Sequence, residues 1–423
     1  MLNKILLPSF IFLLLLKIGA LNFTTFNLFG DEAQYWLWSK DIDFGYFSKP
    51  PFLSWIIRVY TEILGSSFVL LKLLPSFVYL LVAWSIYNLL INSGLNKKDS
   101  FAGCLIFLFI PAVSFSSFII STDLFLLLFW TLSLNELVKI NGEHSLKNFI
   151  LLGIFLGLGF LSKYAAIYFV ICLFVLILFD KRFRKIFLDN LFGFCLTFLC
   201  VFVIIVPNII WNFNNDWITL QHTSDNANFG NIEIDLIRGL EFLLIQVLML
   251  GPFMVLGGIF GFNKWNYIQK IFLIFSMPII LIVLVEAIIV RANANWAAPA
   301  LISLFALLYI RINNSFLKIA NYMFNFIVCL ILFVMIGMSY PSKIFDRISG
   351  INDYALKIYS GSSDGVVKNI VVSDRLLFSS LNFELRDKDI NFYMPHKEGS
   401  EITNHFKIVS PLNKNINENF TLI

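Results

Sequence analysis

The side chains best suited to chemistry lie in one polar stretch, residues 31–58, which separates two long apolar segments. Asp31 and Glu32 open this stretch, and Lys49 stands directly before two prolines. Adjacent carboxylates can divide two tasks, in which one takes a proton and the other holds a metal or an acceptor group. Proline restricts the backbone, so the direction of the Lys49 ammonium is less free. The stretch therefore predicts half of an active site, although spacing alone does not assign the two acids.

Charged residues elsewhere are candidates for the other half, because an ionisable group at membrane depth or at its edge is costly. Lys163, Asp123 and Arg291 each stand beside an apolar run. Structural explanations compete: Lys163 can reach water along its own stem, and Asp123 can cap a helix. Arg291 can likewise pair with Glu286. On one side of the membrane, however, Lys49, Lys163 and Arg291 together favour an anionic ligand held by charge-assisted hydrogen bonds.

The composition indicates what must position these residues. Hydrophobic residues make up 58% of the 423 residues and charged residues 14%, with a mean hydropathy of +0.81. A soluble domain is about half apolar and about a quarter charged. The apolar residues also come in runs of roughly 20, the length of a helix that spans a bilayer. The sequence therefore predicts a polytopic α-helical membrane protein.

About eleven spans are predicted by this length criterion. They lie at residues 5–21, 66–92, 101–118, 123–139, 148–162, 164–179, 186–206, 239–261, 271–290, 296–310 and 318–338. A cleaved signal peptide is the alternative for residues 5–21, but Lys17 interrupts that apolar run and Ile18-Gly19-Ala20 is a poor small-residue cleavage site. We therefore expect a transmembrane domain over residues 1–338.

The distribution of lysine and arginine predicts the orientation. Basic residues concentrate in alternate loops, most densely at residues 181–185 (KRFRK), and such loops are typically cytoplasmic. This places the N-terminus in the cytoplasm and the outer loops, residues 22–64 and 207–238, on the opposite side. The short loop 291–299 faces the same outer side. Since the basic residues form no single patch on a chain of net charge +4, no nucleic-acid partner is expected.

Residues 339–423 lose the long apolar runs and predict a small extracytoplasmic α/β domain. Residues 370–372 and 390–394 are typical of strands, and residues 375–386 of an amphipathic helix between them. Residues 405–409 are a candidate third strand. The order strand, helix, strand favours a compact α/β unit on the outer side of the membrane.

The motifs in this order resemble a known family. The DEAQYW run at residues 31–36, followed by YFSKPP at residues 46–51, is similar to the membrane glycosyltransferases of the GT-C type. That group includes protein mannosyltransferases and the aminoarabinose transferase of lipid A. The pattern is most similar to the bacterial branch of lipid A and core galacturonosyltransferases. Residues 153–164, 211–217 and 294–299 and the run Ser373-Asp374-Arg375 also resemble that branch.

The resemblance implies roles for the candidate residues. The donor would be a sugar on a polyprenyl phosphate and the acceptor a membrane glycolipid. Asp31 and Glu32 would be catalytic, with Asp31 acting on the acceptor hydroxyl. Asp123 and Tyr46 would bind the acceptor. The donor phosphate would be held by three cations, namely Lys49, Lys163 and Arg291.

The cofactor is left open. Ser48 stands where the aminoarabinose transferase has a metal-binding glutamate, so the resemblance does not carry a metal over to that position. His222 is the one histidine in the outer loop 207–238, and a single histidine without a spaced partner is weak support for a metal site. The sequence assigns no cofactor with certainty, and a divalent cation is the one candidate.

The expected reaction is an inverting displacement at the outer face of the bacterial inner membrane, with lipid A or the lipopolysaccharide core as acceptor. No glycine-rich phosphate loop is present, which agrees with a lipid-linked donor that needs no nucleotide site. The alternatives are a protein O-glycosyltransferase of the same fold and a lipid flippase or transporter. Transporters often contain internal repeats and charges at mid-membrane, neither of which is seen here. The oligomeric state is not predicted.

Overall fold

The computed structural model describes residues 2–227, 233–261, 265–312, 314–360, 368–397, 402–412 and 420–423. Up to Gly337 these residues form helices and their connections. The helices are α1 (Leu2–Phe23), α2 (Gly30–Trp38), α3 (Phe52–Leu64), α4 (Phe68–Asn92), α5 (Lys97–Phe109), α6 (Pro111–Ser116), α7 (Asp123–Ile140), α8 (Leu146–Ser162), α9 (Ile167–Phe179), α10 (Lys181–Asp189), α11 (Leu191–Asn214), α12 (Ile218–Ala227), α13 (Leu236–Leu250), α14 (Pro252–Ile259), α15 (Tyr267–Ile274), α16 (Met277–Ile289), α17 (Ala298–Arg311) and α18 (Ser315–Gly337).

Six stretches of the described helices are long and apolar enough to cross a membrane, or eight if each of two bent helix pairs is one span. The six are Ile5–Phe23, Phe68–Asn92, Leu191–Asn214, Tyr267–Ile289, Ala294–Arg311 and Ser315–Gly337. The protein is therefore a multi-pass membrane protein, and the predicted count of eleven is not confirmed.

Breaks in the helices account for much of the difference. The predicted span 101–118 is interrupted at Ile110, which has an extended backbone and directly precedes Pro111, the first residue of α6. A residue that precedes a proline rarely adopts the α-helical conformation. Gly251, with φ of +94°, separates α13 from α14, which are bent by 94°. The α9 and α10 helices are bent by 106°. The predicted span 186–206 starts at Leu191 instead and continues through Pro207 to Asn214, so the outer loop 207–238 is partly helical.

The α7 helix is the centre of the helical part. Sixteen of its eighteen residues are buried, among α4, α8 and α17. Its Asn135 is paired inside the protein: Asn135 Nδ2 donates to the Ser85 carbonyl at 2.8 Å, and Asn92 Nδ2 donates to Asn135 Oδ1 at 3.1 Å. A helix buried on all sides has a fixed position. Asp123, its first residue, is therefore held firmly.

The C-terminal part contains a three-stranded parallel sheet with strand order β2-β1-β3. Its elements are α19 (Ile351–Ser360), β1 (Asn369–Val371), α20 (Arg375–Glu384), β2 (Asn391–Tyr393), α21 (Phe406–Val409) and β3 (Thr421–Leu422). The predicted third strand at residues 405–409 is wrong, because that segment is a short helix. Asn404 Oδ1 accepts the amides of Phe406 and Lys407 and so starts a helical turn. The domain boundary at residue 338 stays a prediction.

The C-terminal part packs against α2. The rings of Trp36 and Phe383 meet edge to face at a centroid distance of 5.1 Å. At Gly30 a Cβ atom would lie 2.6 Å from the Leu376 Cβ, so only glycine allows α2 and α20 to approach this closely. The start of α20 is thereby brought next to the acidic end of α2.

Candidate active site

Asp31 and Glu32 occupy different environments. Both lie in the first turn of α2, where successive residues are rotated by about 100° around the helix axis. Asp31 is exposed and forms no hydrogen bond or ion pair with the residues the structure describes. Glu32 is fully buried. The rotation of the helix therefore separates a free carboxylate from an enclosed one.

Both oxygens of the Glu32 carboxylate are bonded to protein groups. Its Oε2 accepts the Phe29 amide at 2.7 Å and forms an ion pair with Lys72 Nζ at 2.5 Å. Its Oε1 accepts the Ile120 amide at 2.8 Å. The predicted catalytic role of Glu32 does not fit this position, because the carboxylate has three partners and no exposed surface. The sequence analysis missed Lys72, which lies inside an apolar span.

The segment that leads into α7 is held by three buried charges. Lys17 Nζ donates to the Ser117 carbonyl at 2.5 Å and Lys72 Nζ to the Phe118 carbonyl at 3.0 Å. Glu32 accepts the Ile120 amide. These hydrogen bonds satisfy backbone groups that would otherwise be unpaired. They also fix Ile120, which lies three residues before Asp123.

Asp123 joins two other parts of the chain. Its Oδ1 accepts Lys163 Nζ at 2.7 Å, and its Oδ2 accepts Asn295 Nδ2 at 3.0 Å. The capping alternative for Asp123 does not apply, because Thr122 is the N-cap residue and the Asp123 side chain bonds across to other elements. Lys163 follows α8 directly, where the chain leaves the helix in an extended conformation. Asp123, Lys163 and Asn295 therefore form one charged cluster.

Lys49 lies beside this cluster without a direct anionic partner. It is half-buried, and its carbonyl accepts the Tyr46 amide at 3.1 Å. Burial, followed by the positive charge of Lys163, lowers the pKa of Lys49 to about 8, while Asp123 and Asp31 act in the opposite direction. Among the described residues no acid forms an ion pair with Lys49. The cation is thus close to other charges and free to bind an anion.

The loop that carries Lys49 is fixed by aromatic packing. Tyr46 is completely buried, stacks on Trp38 at 4.8 Å, and donates its hydroxyl to the Trp38 and Asp41 carbonyls at 3.0 Å each. Its predicted role in acceptor binding does not fit this position, since no part of the side chain is open to a ligand. At Gly45 a Cβ atom would fall within the Trp211 ring, 2.6 Å from Cδ2. Tyr46 and Gly45 therefore shape the loop.

Arg375 is a site residue that the sequence analysis did not assign. It is the first residue of α20, after β1, and its Nη1 donates to Gln34 Oε1 at 2.9 Å. Its charge acts on Lys49 and on Tyr35. Burial first, and then Asp31 and Asp123, raise the pKa of the Tyr35 phenol, whereas Arg375 lowers it. The run Ser373-Asp374-Arg375 was the sequence signal, but the residues alone assigned it no role.

Arg291 does not join the cluster. Its side chain is exposed, and within the described ranges it forms no ion pair, including none with Glu286. The loop 291–299 instead contributes Asn295 to Asp123. The charges of Lys163 and Arg375 both act on Lys49, whereas Arg291 does not.

No metal site is formed by the described part of the chain. No group of three His, Cys, Asp or Glu side chains lies close enough together to hold an ion. Ser48, at the position considered for a metal ligand, is buried. His222 packs on the Phe47 ring at 4.9 Å, and burial, then Arg375 and Lys49, lower its pKa. These residues do not provide the donor set of a metal centre.

Comparisons with known proteins point to glycosyltransferases. A family model described as dolichyl-phosphate-mannose-protein mannosyltransferase matches residues 48–211. The lipid A galacturonosyltransferase RgtD of Rhizobium johnstonii is 30% identical over 293 residues, which cover 68% of this chain and 61% of that protein. The chain is similar to proteins of the GT-C mannosyltransferase and ArnT-like family. The match spans less than two thirds of the RgtD length.

Solved structures share the fold. ArnT of Cupriavidus metallidurans bound to undecaprenyl phosphate superposes with a TM-score of 0.67 at 14% identity, covering 97% of this chain and 90% of that one. The apo form of the same protein gives 0.62 at 13% identity, with 93% and 85% covered. These similarities show that the chain shares the fold of these proteins over most of its length.

Proposed function

We propose that this protein transfers a sugar from a polyprenyl phosphate to lipid A or to the lipopolysaccharide core, at the outer face of the bacterial inner membrane. The observation that carries the proposal is the free carboxylate of Asp31 next to a cluster of cations from three parts of the chain. The ligand named for the ArnT complex and the acceptor named for RgtD support the two substrate classes.

Asp31 would act as the general base. Displacing phosphate from a sugar carbon needs an acceptor oxygen that loses its proton as the new bond forms. An exposed carboxylate without a protein partner can accept that proton, a task typically worth about 10²- to 10⁴-fold in rate. The acceptor oxygen would then attack the anomeric carbon from the face opposite the phosphate, which inverts that carbon.

Lys49, Lys163 and Arg375 would stabilise the leaving phosphate. Negative charge grows on the phosphate as the bond to the sugar breaks, and cations fixed before the reaction stabilise it most in a partly desolvated site. Lys163 is held by Asp123, and Arg375 is held by Gln34. Lys49 has no anionic partner in the described chain and would be the first contact of the donor phosphate.

Asp123 would orient Lys163 and would also contact the acceptor. Glu32 and Tyr46 are removed from the set of substrate contacts: Glu32 would position the segment before α7, and Tyr46 would shape the loop of Lys49. Residues that hold a metal are not proposed, and no step of the reaction is routed through one.

The test is sugar transfer by the purified protein in detergent, from a polyprenyl-phosphate sugar to lipid A, without any ion gradient. Asp31→Asn, which keeps the size of the side chain, should abolish transfer while the protein stays folded in the membrane. Near-normal transfer by this variant would refute the base assignment. Transfer to a peptide but not to lipid A would instead favour a protein O-glycosyltransferase, the activity for which the matched family model is named.

A transporter makes the opposite prediction. It would move lipid across a proteoliposome membrane and leave the sugar on its donor. Mass spectrometry of the envelope lipopolysaccharide, with and without the gene, identifies the sugar that is added and the position that receives it.

A further inference from the structure

A second cationic cleft lies outside the cluster described above. It has a volume of about 450 Å³ and is open to solvent, and three parts of the chain line it: the end of α2, the turn between α3 and α4, and the end of α20. Its lining residues are Trp36, Lys40, Ser66, Ser67, Arg386 and Asp387. Nothing in the proposed reaction uses these residues.

The two cations of this cleft, Lys40 and Arg386, each lie over an aromatic ring, and the two rings pack against each other. Lys40 Nζ lies 4.7 Å from the centre of the Trp36 ring, and Trp36 packs on Phe383. The Arg386 guanidinium lies 4.3 Å from the centre of the Phe383 ring, and its Nη1 donates to the Phe383 carbonyl at 2.6 Å. Contacts of this kind fix cations in direction, so the positive charges are arranged before any ligand arrives.

These charges are not neutralised by the protein. Lys40 forms no ion pair with any residue in the described ranges, because the nearby Glu62 is bonded to Arg58. Asp387 is 4.0 Å from Arg386 and its side chain is 85% exposed, so this pair contributes little. Burial, and then the charges of Arg58 and Arg386, lower the pKa of Lys40. Two cations whose one neighbouring acid in the cleft lining, Asp387, is largely exposed indicate a site for an anion.

The position of the cleft indicates what kind of anion it is. Ser67 caps α4, which qualifies as a membrane span from Phe68 onwards. The α3 helix beside the cleft exposes the apolar side chains of Ile63 and Leu64. A cationic cleft at the end of a span, beside exposed apolar residues, lies at the depth of lipid headgroups. The left-handed backbone of Gly65, with φ of +90°, makes the turn that places the two serines there.

We propose that this cleft binds a phosphate of the glycolipid acceptor, while the acceptor hydroxyl lies at Asp31. The inference rests on the proposed function. Lys40 and Arg386 would contact the phosphate oxygens, and the serine hydroxyls would donate further hydrogen bonds. Both α2 and the C-terminal part contribute to the cleft and to the catalytic cluster, so one acceptor molecule can occupy both.

The test compares Lys40→Ala and Arg386→Ala with Lys388→Ala, a lysine of the same C-terminal segment that lies over Tyr359 rather than in the cleft. Loss of one charge-assisted contact should raise the KM for phosphorylated lipid A about 10-fold or more. The KM for the donor and the kcat should stay within about twofold, as should all constants of the Lys388 variant. Dephosphorylated lipid A should bind the wild-type protein as poorly as phosphorylated lipid A binds the variants.

A binding measurement separates this proposal from the proposed function. Titration of the purified protein with short-chain phosphatidic acid and with phosphorylated lipid A reports on the cleft even if no sugar is transferred. Weaker binding of both lipids with an unchanged acceptor KM would show a bulk-lipid site and overturn the acceptor assignment. Unchanged binding of both lipids by the two cleft variants would overturn the cleft itself. Absence of transfer by the wild-type protein would refute only the proposed function.

Discussion

Replacement of Glu32 by glutamine tests the division of labour between the two neighbouring acids. Glu32 has no exposed surface, and the side chain of Lys72 is 5% exposed. Breaking a buried ion pair leaves an uncompensated charge and typically costs about 3–5 kcal/mol. Glutamine keeps only one acceptor oxygen, so one of the Phe29 and Ile120 amides also loses its partner. We expect Glu32→Gln to lower the stability strongly and to lower transfer only through that loss.

The assay is thermal unfolding of the purified protein in detergent, with transfer measured well below the transition. From the scaling of transition temperature with chain length, the expected shift for Glu32→Gln is roughly 3–10 °C. Asp31→Asn is the matched control: it should leave the transition unchanged within about 1 °C, because a surface substitution away from any contact is usually within about 0.5 kcal/mol, and it should abolish transfer.

A double variant sharpens this test. Glu32→Gln combined with Lys72→Met removes both charges, so no buried cation is left unpaired, and the loss of stability should be smaller than the sum of the two single losses. The reasoning is refuted if Glu32→Gln unfolds at the wild-type temperature and yet transfers no sugar. That result would make Glu32 a substrate contact.

Three further predictions follow from the site. In the wild-type protein the KM for the donor should rise as the pH passes about 8, because the Lys49 cation is lost above its lowered pKa; Lys49→Arg should remove this pH dependence, and an identical profile would contradict the phosphate role. Arg375→Gln should lower kcat/KM about 10- to 100-fold, since a charge-assisted hydrogen bond is worth about 1.5–3 kcal/mol, whereas the exposed Arg347→Gln should match the wild type in kcat/KM. Gly45→Ala should cost about 1–3 kcal/mol in the thermal assay because its Cβ meets the Trp211 ring, and wild-type stability would show that the ring moves aside.

The sequence determined the class of the protein and singled out the stretch that is proposed to carry its chemistry. Both depend on local properties: apolar runs of span length, the alternation of basic loops, and the concentration of acids, prolines and a lysine in residues 31–58. The same local signals located Asp123 and Lys163, because charged residues beside apolar runs stand out. Local signals miscounted the spans, since Ile110 and Gly251 break helices whose composition is continuous.

Only the tertiary structure decided what each charge does. Asp31 and Glu32 are adjacent in the chain, but the helix turns by about 100° per residue, so one reaches solvent and the other meets Lys72 from 40 positions away. Arg375 joins the site through Gln34, 341 positions away, while the better-placed candidate, Arg291, faces solvent. Partners that are this far apart in the sequence produce no periodic or compositional pattern in it. The loop of residues 31–58 can therefore be predicted from its amino-acid types, whereas the separate roles of its charged residues depend on how the folded chain packs.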